Sequence, residues 1–369
     1  MPLSEIEIYE PMILLNPSTQ RDASVTNNVK REPPTRRWCA VFALACLVVL
    51  GPGQPAGAAQ QGLPLFADRD LGEALAQAVQ NLGPNAQHID IKPSAITAAC
   101  SAAPGTAPRL ALLARNPTRA ELDRCGQTAS AEVNIVEIGR QAVAVVVPIN
   151  SPVWSVNTAG LFRALGQNSG NTPRTTTWNE IDPSYPKLPI GLLLPPTNSR
   201  TWELFNALIM QSGCDRTATA RMPFDLKSRA AYCAALRTDI QVSAREGGVQ
   251  GIASWAAAAL PGQIAIVSVA ELRQLDHRVV PLLLDGALPT AANIDSGRYL
   301  AAEKIELMIV VPTGANRTQR ADARTLAFNL LAETSIGPTG SLAPAGLIPL
   351  PPPDRIAARS QAIAFLEPR

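Results

Sequence analysis

The run Ala142 to Val147 (AVAVVV) is continuously apolar. A strand written this way is buried on both faces, which places it inside a sheet with helices on either side. Ile305 to Val311, apolar but for Glu306, reads as another buried strand. Around these two the chain alternates between short strand-like and helix-like segments. Strands are expected at Ile89–Ile91, in two runs between Val133 and Val147, at Ile190–Leu194, at Ile264–Val269 and at Ile305–Val311. Helices are expected at Leu71–Leu82, after Asn116-Pro117-Thr118, and over Thr158–Leu165, Ser228–Leu236, Val249–Ala259 and Arg320–Glu333. Thr118 and Glu121 have the spacing of a capping box, and Gly83-Pro84 is a helix stop. The Pro-rich stretch 344–353 reads as a turn-rich connection. This alternation defines an α/β layered fold.

Cysteine placement and one apolar segment bear on where the chain folds. Trp38 to Leu50 (WCAVFALACLVVL) follows Lys30, Arg31, Arg36 and Arg37 and precedes Ala56-Gly57-Ala58. Basic, apolar and small residues in that order are a secretory signal too short to anchor in a bilayer, with cleavage expected near Ala58 or Ala59. Residues 1–58 are therefore expected to be leader and signal, and the protein to be periplasmic. Four cysteines then remain, Cys100, Cys125, Cys214 and Cys233. An even number in an exported chain favours disulfides. Of the three possible connectivities, neighbour pairing is the simplest, Cys100 with Cys125 and Cys214 with Cys233. A zinc site is disfavoured, since there is no CxxC pair and the two histidines, His88 and His277, are far apart. A net charge of +2, with both signs mixed along the chain, gives no footprint for nucleic acid.

The segment Thr177 to Phe205 runs from Trp178-Asn179-Glu180-Ile181 through the strand Ile190–Leu194 into Thr197-Asn198-Ser199 and a helix carrying Trp202, Phe205 and Ile209. The first N–H groups of a helix lack intrahelical partners and face the positive end of its dipole, so a strand, polar loop and helix in this order suit an anion. The stretch resembles the periplasmic phosphate-binding proteins of ABC importers, in which a Trp-Asn-Glu-Ile segment and a strand lead into a Ser-Gly-Thr-Arg loop. Three further segments are similar to that family: Pro289 to Tyr299 (PTAANIDSGRY), Pro261-Gly262 before Ile264–Val269, and Gly346 to Pro351 (GLIPLP). The resemblance implies a two-lobed type 2 periplasmic binding fold, each lobe a sheet flanked by helices. It divides the chain into lobe I (59–141 plus 304–369) and lobe II (142–303).

The same resemblance implies three ligand loops. The first reads Phe66-Ala67-Asp68-Arg69-Asp70 and lacks the family's hydroxyls; its acids are expected to face a helix dipole. The second is Pro108 to Arg115, with Arg109 where the family has an Asp and Ala114 before the retained Arg115. The third is Asn198-Ser199-Arg200-Thr201, which keeps two hydroxyls, replaces a glycine by Arg200 and replaces an arginine by Trp202. The expected ligand residues are thus Asn198, Ser199, Arg200, Thr201, Arg109 and Arg115. An arginine at 109 accepts no hydrogen bond and suits a more highly charged or carboxylate-bearing anion. The function implied is capture of phosphate or another small anion for an ABC permease, by a monomer without cofactor or metal. The alternative is an accessory or sensor protein whose altered cleft recognises a protein partner. For an enzyme there is no GxSxG elbow, no HExxH and no glycine-rich phosphate loop.

Overall fold

The long apolar run lies at the centre of the molecule. Strand β4 extends over Ala131–Pro148, 18 residues without interruption, where two runs were expected. At about 3.3 Å per residue it is roughly 60 Å long, enough to serve two sheets in turn. The structure is a computed structural model that describes residues 63–71, 77–79, 89–101, 107–170, 174–217 and 223–367. Ala58–Arg369 forms one unit. The leader, the signal segment, His88 and most of the helix expected at 71–82 lie outside the described residues.

The other strands are β1 (Leu65–Asp68), β2 (Ile89–Lys92), β3 (Arg109–Leu113), β5 (Ser155–Val156), β6 (Gly191–Leu194), β7 (Gln241–Ala244), β8 (Gln263–Ser268), β9 (Val279–Pro281), β10 (Leu283–Leu284) and β11 (Ala302–Pro312). Their order is β2-β1-β3-β11-β4-β8-β6-β7, with β9 also on β4 and with β5 and β10 forming a separate pair. Up to Ala142, β4 pairs antiparallel with β11; from Val143 it pairs antiparallel with β8 and β9. The strands outward of this axis, β1 to β3 on one side and β6 to β8 on the other, are parallel among themselves. Two cores follow. One collects Ala142–Val147 with residues up to Ala301 and with Ile348, and the other collects Leu65 to Ile138 with residues between Ile305 and Leu366. A third, smaller cluster lies on the other face of β1, β3 and β11. The molecule is a two-lobed α/β fold in which β4 passes from one lobe to the other and β11 begins beside that crossing, at Ala302 opposite Ala142.

The segments that carry the family likeness brace this crossing. Thr290 caps the helix Ala291–Asp295 by accepting from Asn293 N. Tyr299, 1% exposed, donates from its hydroxyl to Val143 O at 2.7 Å, and Val143 N donates to Ala301 O. The bond lies where β4 leaves one sheet for the other. Arg140 Nη1 donates to the carbonyls of Ile294 and Asp295. On the opposite side Ile348 exchanges two backbone bonds with Arg140. Here β4 must be bare, because a Cβ on Gly139 would lie 2.4 Å from Leu347 Cδ1 and 2.9 Å from Ile348 O.

Most expected elements are present with small shifts of their ends, and the connection at 344–353 is turn-like until Pro352, where an additional helix, Pro352–Phe365, begins. Both disulfides join neighbours, Cys100–Cys125 and Cys214–Cys233. His277 is exposed in a turn beside Asp276. Among the described residues no helix is long and apolar enough to cross a membrane, and no cluster of His, Cys, Asp or Glu could hold a metal.

Candidate functional site

Strand β6 ends at Leu194, Pro195-Pro196 turn the chain, and Ser199 caps the helix Arg200–Leu204 by accepting from Trp202 N at 3.3 Å. Its hydroxyl also donates to Pro196 O at 2.6 Å. The helix continues through a π-helical stretch, Phe205–Gln211, and is anchored by the buried Phe205 and Ile209. This junction opens into a cleft of about 720 Å³ that both lobes line. One wall holds Pro196, Asn198 to Thr201, Glu203 and Leu204. Arg245 and Ser268, Ala270, Glu271 and Gln274 continue it. Arg69, Leu71, Gln141, Ala142 and the loop Pro344–Gly346 complete the lining.

Of the six expected ligand residues, the structure brings Asn198, Ser199, Arg200 and Thr201 together at this cleft. Arg200 reaches across it. Its Nε donates to Gln141 Oε1 at 3.0 Å, and its Nη2 lies 2.8 Å from Glu303 Oε2 and 3.4 Å from Ala114 O. The side chain that stands where the resemblance expects a glycine therefore ties its helix to β4, to β11 and to the end of β3.

Arg109 and Arg115 are elsewhere. Arg109 is 3% exposed and donates to Ala99 O at 2.7 Å, tying β3 to the helix Ala95–Ser101. Burial lowers its pKa. As the first residue of a strand buried along its length, it faces the core instead of the cleft. Arg115 forms a two-pronged pair with Glu121, at 3.0 and 2.6 Å. Glu121 also accepts from Thr118 N at 2.8 Å, closing the expected capping box. The guanidinium and these N–H and O–H donors hold the Glu121 carboxyl at about 2. Stability from this pair is present above the ordinary glutamate range and is lost as pH falls from about 4.5 towards 2, because the unfolded chain takes up the proton first. Acid unfolding of Glu121→Gln should accordingly show a shallower loss of stability over that interval than the parent chain; equal slopes would contradict it.

Asp68, at the end of β1, is 7% exposed and accepts from Ala95 N at 2.6 Å and Ala114 N at 3.0 Å. An acid at the start of a helix is present as expected, but the helix it serves is Ala95–Ser101. A buried carboxylate with two backbone donors is well satisfied.

Arg245 belongs to no segment singled out in the sequence. It follows β7, an edge strand whose four residues are all exposed and whose sequence, QVSA, has no marked apolar alternation. Its backbone N–H donates to Leu194 O, which sets the residue beside the Pro195-Pro196 turn. The side chain is 5% exposed and pairs with Glu271 at 2.8 Å. Nη1 makes that pair, and Nε is buried without a hydrogen bond.

The fold is shared with solved structures. One is a possible phosphate binding protein from Planctomyces limnophilus, 14% identical, with a TM-score of 0.54 over 83% of this chain and 98% of that one. Another is PstS from Borrelia burgdorferi, 10% identical, with a TM-score of 0.53 over 78% of this chain and 98% of that one. Among curated proteins, Protein SphX of Synechococcus elongatus is 36% identical over 69 residues, which is 19% of this chain and 20% of the relative's length. Residues 69–317 match the family model described as the PBP superfamily domain, and the chain belongs to that superfamily.

Proposed function

We propose that this chain is an exported solute-binding protein of the phosphate-binding type that holds phosphate or another small oxyanion between its lobes and delivers it to an ABC permease. The observation that carries the reading is the cleft. A capped helix N-terminus, two hydroxyl-bearing residues and an arginine meet there between two lobes joined through β4. Hinged closure about such a crossing is how two-lobed proteins sequester a ligand. Lobe I is taken as 59–141 with 304–369 and lobe II as 142–303, the exchange falling at the Ala142/Val143 switch of β4. Asn198, Ser199, Arg200 and Thr201 are the ligand residues in this reading. Arg109 and Arg115, each engaged within lobe I, support the loops around them. Export rests on the segment Trp38–Leu50 and on the two disulfides, which persist in an oxidising compartment.

Calorimetric titration of the oxidised protein with phosphate, sulfate, pyrophosphate and small carboxylates tests the reading. Binding with Kd of about 1 µM or tighter, weakened tenfold or more in Ser199→Ala/Thr201→Ala, is the expected result; tenfold corresponds to about 1.4 kcal/mol. Binding unchanged in that variant would remove the helix-terminal loop from the site. The bridge from Arg200 to Glu303 and Gln141 favours a second reading, in which the cleft is closed by the protein's own charges and the chain recognises a protein partner. Absence of heat with every anion would select it.

A further inference from the structure

We infer that Arg200, Gln141 and Glu303 form a latch across the hinge, and that Glu303 is a positioning residue that raises ligand affinity by holding Arg200 in place. The inference rests on the solute-binding reading above and deepens it. The ends of the latch are anchored in different lobes. The helix that carries Arg200 is seated in the lobe II core through Leu204 and Phe205. Ala114, whose carbonyl meets Arg200 Nη2 at 3.4 Å, follows β3 in lobe I, and its own N–H donates to Asp68. Gln141 is 6% exposed and uses both ends of its amide, accepting from Arg200 Nε at 3.0 Å and donating to Leu71 O at 3.3 Å. It lies next to Ala142, where β4 leaves β11, and its cross-strand neighbour on β11 is Glu303. Glu303 Oε2 completes the set at 2.8 Å from Arg200 Nη2. A planar guanidinium offers several donors in a fixed fork, so one side chain engages three elements at once.

The Arg200 side chain is 14% exposed and that of Glu303 29%, so their attraction is screened less than that of a pair at the open surface. A rotation that opens the cleft draws the Arg200 helix away from Gln141 and Ala114. These bonds therefore stabilise the closed arrangement alone. Apparent affinity falls with the population of the state that binds, so the latch strengthens binding by raising that population. Glu303 is not among the residues that line the cleft. Its charge has two opposed effects on an anion held there. As a nearby negative charge it repels the ligand, and its removal would tighten binding. As the acceptor of the latch it keeps the cleft closed, and its removal weakens binding. The sign of the change separates a latch from a bystander charge.

The test uses the full oxidised chain and inorganic phosphate. Glu303→Gln should weaken phosphate binding about threefold or more, since an acceptor of a charged donor is lost from the closed state. Glu303→Asp, which keeps the charge, should weaken it less. Added to Arg200→Gln, Glu303→Gln should cause no further loss, as for two residues that act through one contact. Closure is read separately, without ligand, from the distance between spin labels on Thr318→Cys of lobe I and Gln250→Cys of lobe II, both exposed helical positions. Cys39 and Cys46 are replaced by serine for this purpose, and the other four cysteines are paired. Glu303→Gln should shift the distances to longer values than in the otherwise identical labelled chain. Equal or tighter phosphate binding in Glu303→Gln, or losses that add in the double variant, would overturn the latch and leave the solute-binding reading standing. A parent chain that binds no phosphate would count against that reading, and the label distances would still decide the latch, which an unchanged distribution overturns.

Discussion

Replacing Trp178 by alanine is expected to destabilise the protein by about 4 to 6 kcal/mol, read from urea unfolding at constant m. Trp178 is fully buried in the lobe II core and lies 5.7 Å, ring to ring, from Trp154. Truncating a buried tryptophan costs about 3–5 kcal/mol through lost burial and the cavity left behind. Its indole N–H also donates to Gly262 O at 2.7 Å, and an orphaned buried carbonyl costs about 1–3 kcal/mol more. The surroundings have little room to collapse. Gly262 has φ +93°, and a Cβ there would lie 2.5 Å from Pro189 O. Trp178→Phe separates the two causes, since it keeps most of the ring volume and loses only the donor; a loss of about 1–3 kcal/mol is expected. The consequence extends to the cleft. Trp178 N donates to Leu188 O and Ile190 N to Thr176 O, so the indole fixes the approach to β6 and hence the position of Ser199. A loss below about 2 kcal/mol in Trp178→Ala would show that this segment is not an anchor.

The sequence was legible where local chemistry decides the structure. The box at Thr118 and Glu121, the helix Thr158–Leu165 and the cap at Ser199 are set by residues three or four apart. The both-face burial of Ala142–Val147 follows from composition alone. The 18-residue length of β4 was not legible, because its first half, Ala131 to Gly139, mixes Glu, Asn and Gly into the pattern. Pairing with β11 keeps that half a strand, and Gly139 is required there by Ile348, more than 200 residues away in sequence.

The site divides in the same manner. The loop Asn198–Thr201 was readable from its turn and cap. The assignment of Arg109 followed alignment to a loop and missed the direction of its side chain, which the pleat of β3 turns into the core. Arg200 was visible as an obstruction where a glycine is usual, but its acceptors lie 59 and 103 residues away along the chain. Arg245 carried no local signal. It follows a short edge strand, and only the pairing of β7 with β6 brings it to the helix-capping loop. Residues placed by sheet order become readable only once that order is known.

Removing either disulfide is expected to lower stability by about 3 kcal/mol, and removing both by about 6 kcal/mol. Cys100–Cys125 ties the helix Ala95–Ser101 to Arg119–Ala129, a sequence separation of 25; Cys214–Cys233 ties Ser212–Arg216 to Leu226–Ala234, a separation of 19. Closing loops of that length in the unfolded chain accounts for about 3 kcal/mol each in the chain-entropy description. The two loops do not overlap and their sulfurs belong to different cores, so the effects should add. All four cysteines are nearly or fully buried, which makes alanine the replacement that leaves no unsatisfied group. Denaturant curves of Cys100→Ala/Cys125→Ala, Cys214→Ala/Cys233→Ala and the fourfold variant measure the terms separately. A combined loss of about 6 kcal/mol is a large part of the 5–15 kcal/mol typical of a folded protein. A chain that loses this much stability on reduction is better suited to an oxidising compartment, which is what the proposed export would supply. A fourfold variant within about 1 kcal/mol of the parent would refute the stabilising role and withdraw that support for export.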